Sequence, residues 1–205
     1  VAGGGAGQDA VSSVISDVTL TLVKPGLEYL ADYIAALQDG WSPSEMRPEL
    51  ADEQLEKIAQ CPDTFIRSLD DPALVGTPVP LPDGSTVPRL PGFWRWLWDG
   101  EFCGIIQLRW QPGTSSLPDY CLGHVGYSVV PWKNRRGYAT RALGLLLPAA
   151  RAQGLDYVEL STDPDNIASR KVILANGGEL VERFIRPKSF GGGEALRFRI
   201  MLAAG

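Results

Sequence analysis

The stretch from Val125 to Ala150, VGYSVVPWKNRRGYATRALGLLLPAA, constrains this chain most: an apolar strand, a basic turn and an amphipathic helix follow one another without a spacer. From Ala139 the small or apolar residues recur at Ala139, Ala142, Leu143, Leu146, Leu147 and Ala150, the stripe of a helix lying on a sheet. The turn therefore sits at a helix N-terminus, where backbone N–H groups lack intrahelical partners and the helix dipole is positive, an arrangement that binds phosphate. Gly137 and the small Ala139 let a ligand approach the backbone, and Lys133, Arg135, Arg136 and Arg141 surround it with positive charge. The expected ligand is a di- or polyphosphate.

Two familiar phosphate loops do not fit: neither G-x-x-x-x-G-K-S/T nor G-x-G-x-x-G occurs at this turn. The pattern R/Q-x-x-G-x-G/A does fit, over Asn134, Arg135, Arg136, Gly137, Tyr138 and Ala139, with Asn134 departing from its first position. Downstream lie a strand, Tyr157 to Ser161, and the segment DPDNIASRKVILANGG from Asp163 to Gly178. Together these stretches resemble motifs A and B of the GCN5-related N-acetyltransferases (GNAT). The resemblance runs from about Trp94 to Leu202 and is close to the predicted acetyltransferases of this class that carry GH-V/I-GYSV and DNIASRKVI. The competing readings are a charged helix start with no ligand and a phosphate-binding domain of other chemistry.

The resemblance implies an α+β fold in one domain: a central mixed, mostly antiparallel sheet with splayed strands, flanked by helices. It implies acetyl-CoA as acyl donor, with no metal. The pantetheine arm is expected along the edge of the strand before motif A, Tyr127 to Val130, with Ser128, Val129 and Val130 as its contacts, and the pyrophosphate at Arg135, Arg136, Gly137, Tyr138, Ala139 and Thr140. Asn166 is either a helix N-cap or a donor to the same arm, or both. The implied acceptor is a primary amine of a small molecule or peptide, and a homodimer is compatible with the family. A silent acyl-CoA-binding or sensor domain is the rival function.

Composition narrows the setting. With 205 residues the chain suits one domain of good core size, and residues 1–16 read as a flexible leader or expression scar ahead of a domain spanning 17–205. A net charge of −5 argues against general nucleic-acid binding, and no run is long enough to predict a membrane span. Three cysteines without C-x-x-C spacing and one histidine make structural zinc an unsuitable reading and agree with reduced thiols in a cytoplasm.

Along the N-terminal half, Val18 to Val23 alternates like a strand. Leu27, Leu30, Ala31, Ile34 and Leu37 fall at helical spacing, and a second helical stretch from Ser44 to Ser68 breaks near Cys61-Pro62. The proline-rich segment from Gly76 to Gly92 reads as a long loop. Asp99-Gly100 between Phe93 to Trp98 and Glu101 to Trp110 predicts a hairpin with a two-residue turn, its Trp94, Trp96 and Trp98 on one face as core or substrate wall. Leu122 to Val130, Glu179 to Ile185 and Ala195 to Leu202 are further strands, and Pro148 is expected to kink the main helix.

Amine acetylation needs a neutral nucleophile, so a base or water must take a proton from an amine of pKa near ~10.4. His124 is the one side chain whose reference pKa lies near neutrality, and it is read either as that base or as a hydrogen-bonded structural residue. Asp119 and Glu101 are reserve bases. Many GNAT members place a tyrosine four residues before the glycine that ends the motif B helix, to protonate the leaving thiolate. Here that position is Ile173, and Ser169, one turn earlier, is the expected substitute and cofactor contact or an ordinary capping hydroxyl.

Overall fold

The computed structural model describes residues 19–202. The leader expected over 1–16 lies outside the described residues. The chain begins with β1 (Thr21–Val23), then α1 (Leu30–Gln38), α2 (Leu50–Gln60) and α3 (Pro62–Ser68). Cys61 is extended between the last two helices and Pro62 opens α3, so the expected break falls where proline cannot continue a helix. The buried stripe of α1 is Leu30, Tyr33, Ala36 and Leu37; the expected Leu27 and Ala31 face solvent, because the large Tyr33 ring takes the core position.

The proline-rich segment is not a plain loop. It folds into a small antiparallel hairpin of β2 (Pro78–Pro80) and β3 (Thr86–Pro88), closed at Asp83-Gly84, where Asp83 accepts the N–H of Ser85 at 3.0 Å. Both ends of β2 and the last residue of β3 are prolines, which an isolated two-stranded edge tolerates.

The main hairpin is β4 (Gly92–Trp98) and β5 (Phe102–Arg109). Trp98 pairs with Phe102, so the turn spans three residues rather than two, and the register then shifts next to Trp98. Gly104 lies beside this irregularity at φ +142°, where a Cβ would stand 2.2 Å from the Ser128 carbonyl oxygen. Glycine is required there for the next strand, β6 (Val125–Val129), to pair with β5.

After β6 come α4 (Tyr138–Ala152), β7 (Tyr157–Thr162), α5 (Ile167–Ala175), β8 (Glu179–Ile185) and β9 (Glu194–Met201). α4 continues through Pro148. The sheet divides into two halves, β1-β4-β5-β6 and β7-β9-β8, and all of their strand ladders are antiparallel. The mixed sheet that the resemblance implied thus appears as two antiparallel half-sheets, with β6 and β7 at the edges that face one another.

Period-two alternation in β4 splits its side chains between two cores. Phe93 and Leu97 join α4, α5 and the inner faces of β7 and β9, whereas Trp94, Trp96 and Trp98 pack with the α1–α3 layer. Trp96 is fully buried and stacks on Tyr33 with centroids 4.5 Å apart, so the tryptophan row is core. Burying a ring of this size stabilises the fold by about 2–3 kcal/mol. The outer face of the second half-sheet instead carries Glu159, Glu182, Arg197 and Arg199, tied by ion pairs of 2.7 Å (Arg199 to Glu159) and 2.8 Å (Arg197 to Glu182).

Candidate active site

The basic turn has the backbone of an anion site. Arg135 stands at φ +63° and Gly137 at φ +76°, and Gly137 is the N-cap of α4 without any side-chain cap. Left-handed residues in alternation turn successive N–H groups toward one side, and the first N–H groups of α4 have no carbonyl to meet inside the helix. Among the described residues no carbonyl or side chain accepts the N–H of Tyr138, Ala139 or Thr140, whereas Arg141 N–H already bonds the Gly137 carbonyl at 3.0 Å. Arg135 and Arg136 are exposed beside them.

Lys133 does not share this role. It is buried, with its ammonium 3.0 Å from Asp99 Oδ1 and 2.8 Å from Glu101 Oε2. The Tyr138 hydroxyl also donates to Asp99. Burial works to raise the Asp99 carboxyl, but the hydrogen bonds from Tyr138 and Lys133 outweigh it and hold the group at about 2. Burial likewise works against the Lys133 charge, and its bonds to Glu101 and Asp99 hold it above the ordinary lysine value. The cluster pins the basic turn to the β4–β5 turn. Sequence reading took Lys133 as free charge and Asp99 only as a turn residue, because neither the ion pair nor its burial has a local signature.

The strand edge is narrower than expected. Val130 N–H bonds the Cys103 carbonyl, and Ser128 and Gly126 lie in the same phase of the ladder, so their backbones are directed to β5. Tyr127 and Val129 direct theirs to the opening between β6 and β7. The Ser128 hydroxyl is turned toward the α1–α2 loop, accepting from Trp41 Nε1 at 2.9 Å and donating to the Ser42 carbonyl at 3.4 Å. Of the expected edge Tyr127 to Val130, Tyr127 and Val129 leave their backbones open, whereas Val130 is buried and Ser128 holds a loop.

His124 marks the point where the two half-sheets join. Its carbonyl accepts from Arg109 of β5, while its N–H donates to Glu159 of β7 at 2.7 Å. The ring Nδ1 accepts the Glu159 N–H at 2.9 Å, and the residue has no solvent exposure. Burial pushes the imidazole down to about 4, with the Glu159 charge opposing and Arg109 reinforcing that effect. With Nδ1 occupied and Nε2 carrying the proton of the neutral ring, no lone pair is free to take a proton from a substrate. The geometry thus corrects the reading of His124 as a base and makes it a clasp. We expect His124→Asn, whose amide oxygen can replace Nδ1, to leave the pH dependence of turnover unchanged. Unfolding measurements should show its other consequence. An imidazole at about 4 when folded and ~6.5 when unfolded contributes stability above ~6.5 that is lost as pH falls through 4, so the variant should have a shallower acid slope in that window.

At the other side of the opening, Asn166 caps α5, its Oδ1 accepting the Ser169 N–H at 2.9 Å. The Ser169 hydroxyl lies 2.8 Å from the Tyr127 hydroxyl, joining α5 to β6. Ile173 is fully buried, so the position that carries a tyrosine in many family members belongs here to the core. Asp119 lines a cavity of about 290 Å³ over the outer face of the second half-sheet, with Glu159, Glu182 and Arg197, and Glu101 is tied to Lys133. Neither reserve base meets Tyr127 or Ser169. The Cys103 thiol is pushed up to about 12, chiefly by burial, which makes it a poor nucleophile. No group of side chains suited to a metal ion occurs among the described residues.

A split sheet, an uncapped helix behind a left-handed turn, and an open strand edge beside it make up a fold of the GNAT type. Residues 82–179 match the family model described as acetyltransferase (GNAT) domain. No curated protein matches the chain in sequence. Among solved structures, the microcin C7 self-immunity acetyltransferase MccE, in complex with acetyl-CoA and AMP, aligns with TM-score 0.62 and 11% identity over 89% of this chain and 92% of that one. The ribosomal L7/L12 alpha-N-protein acetyltransferase RimL, in complex with coenzyme A, aligns with TM-score 0.61 and 12% identity over 91% and 96%. RimJ of Mycobacterium smegmatis, in complex with CoA-disulfide, gives 0.58 and 18% over 89% and 81%. At such identities the likeness is one of fold.

Proposed function

We propose that this chain transfers an acetyl group from acetyl-CoA directly to a primary amine of a small molecule or peptide. The observation that carries the reading is the turn from Arg135 to Thr140, left-handed at Arg135 and Gly137 and with the N–H groups of Tyr138, Ala139 and Thr140 unaccepted, which follows the open edge of Tyr127 and Val129 in the chain. A pyrophosphate needs converging N–H donors at a positive helix end, and a pantetheine arm needs a peptide-like edge; this chain presents both in sequence order. Support comes also from neighbours of the same fold solved with acetyl-CoA or coenzyme A.

The donor supplies an activated acyl carbon on a thiol leaving group. The residues of this chain then have three tasks. Gly137 to Thr140 hold the diphosphate through backbone N–H groups, and Arg135 and Arg136 add charge. Tyr127 and Val129 orient the arm through their outward N–H and C=O groups. Ser169 places a hydroxyl at the α5 side of the same opening. Since His124 is closed off, the proton released by the amine goes to solvent at the mouth. All three cysteines are free thiols, which supports a reducing cytoplasm. Among the described residues no helix is long and apolar enough to cross a membrane.

Thiol release from acetyl-CoA, measured against a panel of primary amines and unblocked peptides, tests the proposal. Amine-dependent release supports it. Binding without release favours a silent acyl-CoA sensor, the reading that the replacement of a family tyrosine by the core residue Ile173 speaks for.

Asn166 supplies a finer check. Its Oδ1 serves as the cap and its amide N–H₂ remains for a ligand. Asn166→Asp keeps the cap and removes the donor, so acetyl-CoA affinity is expected to fall about tenfold, the worth of one hydrogen bond, at unchanged melting temperature. Equal affinity in calorimetry would reduce Asn166 to a cap.

A further inference from the structure

Tyr127 lies on β6 and its phenol crosses to α5, where it meets the Ser169 hydroxyl at 2.8 Å and lies 3.4 Å from the Ser169 carbonyl. These two hydroxyls belong to the two elements that border the opening, and the backbone of Tyr127 is itself part of the open edge. The Ser169 N–H is already held by Asn166, so the hydroxyl is fixed from both ends of the residue. Burial raises the phenol above its ordinary value, its bond with Ser169 acts in the opposite sense, and the charge of Glu45 raises it further. Tyr127 thus stays a protonated donor throughout the neutral range. Ile173 leaves α5 without a phenol of its own, and the strand delivers one to the same helix.

We infer that Tyr127 is a positioning residue for proton delivery to the departing sulfur, acting through the hydroxyl of Ser169. The inference rests on the acetyltransferase reading given above. When the acceptor nitrogen forms its bond to the acyl carbon, the C–S bond breaks with its electron pair on sulfur. The proton lost by nitrogen leaves to solvent, and the Ser169 hydroxyl donates to the sulfur and is reprotonated from water. Either oxygen can donate in the Tyr127–Ser169 bond, and in the productive sense Tyr127 donates to Ser169 Oγ, which directs the serine proton away from the phenol and into the opening.

The test uses the full chain, with Tyr127→Phe, Ser169→Ala and the double variant. Phenylalanine keeps the ring and removes the hydroxyl, and equal melting temperatures establish that the fold is intact. Coenzyme A is bound first, checked by calorimetry, and its thiol is titrated by thiolate absorbance. Tyr127→Phe should make the bound thiol titrate about one pH unit higher than in the wild type, because a weakly oriented donor stabilises the thiolate less. With acetyl-CoA and an unblocked tripeptide, kcat should fall about 10- to 100-fold with little change in KM for acetyl-CoA. In the Ser169→Ala background, Tyr127→Phe should add nothing, the mark of action through the serine.

An unchanged thiol titration in Tyr127→Phe overturns the inference, as does a loss that adds fully to that of Ser169→Ala. The titration needs no acceptor, so it decides the matter even where the tripeptide is not turned over. Coenzyme A failing to bind the wild type would overturn the reading of the site itself, and the inference with it.

Discussion

Replacing Gly137 by glutamate is expected to abolish acetyl-CoA binding while the fold survives. Gly137 holds φ +76° and its missing Cβ would meet nothing within 4 Å, so the substitution strains the backbone without a clash. A side chain in that region costs about 1–2 kcal/mol. The larger effect is electrostatic. The carboxylate would stand beside the N–H groups of Tyr138, Ala139 and Thr140, where the diphosphate is proposed to lie. Like charges about 4 Å apart near a protein surface repel by about 4 kcal/mol, so affinity should fall by at least ~100-fold. Gly137→Ala carries the backbone strain alone and should lose much less. Calorimetric titration of both variants, with circular dichroism to confirm folding, separates strain from charge. Wild-type affinity in Gly137→Glu would remove the turn from the site.

Asp99→Ala is expected to destabilise the chain by about 3 kcal/mol, since it removes one partner of a buried ion pair and leaves Lys133 with Glu101 alone. For a chain of this size that loss lowers the melting temperature by about 6–12 °C. The Tyr138 hydroxyl loses its acceptor in the same step, so the first turn of α4 should loosen and acetyl-CoA should bind more weakly. The acid behaviour follows from the carboxyl, held at about 2 in the folded chain against ~3.9 unfolded. A depressed carboxyl contributes stability above its unfolded value, and that contribution is lost as pH falls from ~4 toward 2. The wild type should therefore lose stability across this window more steeply than Asp99→Ala. Parallel curves in denaturant titrations at stepped pH would mean that the ion pair contributes nothing.

These two residues differ in how far they could be read in advance. Gly137 stands in a pattern of neighbours, R-R-G-Y-A before an apolar stripe, and its conformation follows from a helix that begins one residue later. Asn166 is legible for the same reason, as an oxygen acceptor placed three residues before the N–H it caps. The strands β8 and β9, the break at Cys61-Pro62 and the hairpin at Asp99-Gly100 likewise follow from period, turn chemistry and proline. Each depends on bonds that span only a few residues, and residue type together with spacing specifies such bonds. The prolines between Gly76 and Gly92 were misleading because they mark breaks without showing that Val79 and Val87 would pair across them.

Asp99, His124 and Tyr127 depended on tertiary packing. Asp99 meets Lys133 and Tyr138 across 34 and 39 residues, His124 meets Glu159 across 35, and Tyr127 meets Ser169 across 42. The charge state and freedom of such groups are set by desolvation and by the partner that the other strand or helix supplies, and neither quantity is a property of the neighbouring sequence. A histidine in a strand looks like a base until a backbone N–H from β7 occupies its lone pair. The local sequence thus carries the basic turn and the elements around it, and the packing of β6 between β5, β7 and α5 sets the partners of the polar side chains at their junction, because burial leaves each of them only the partners that the neighbouring elements supply.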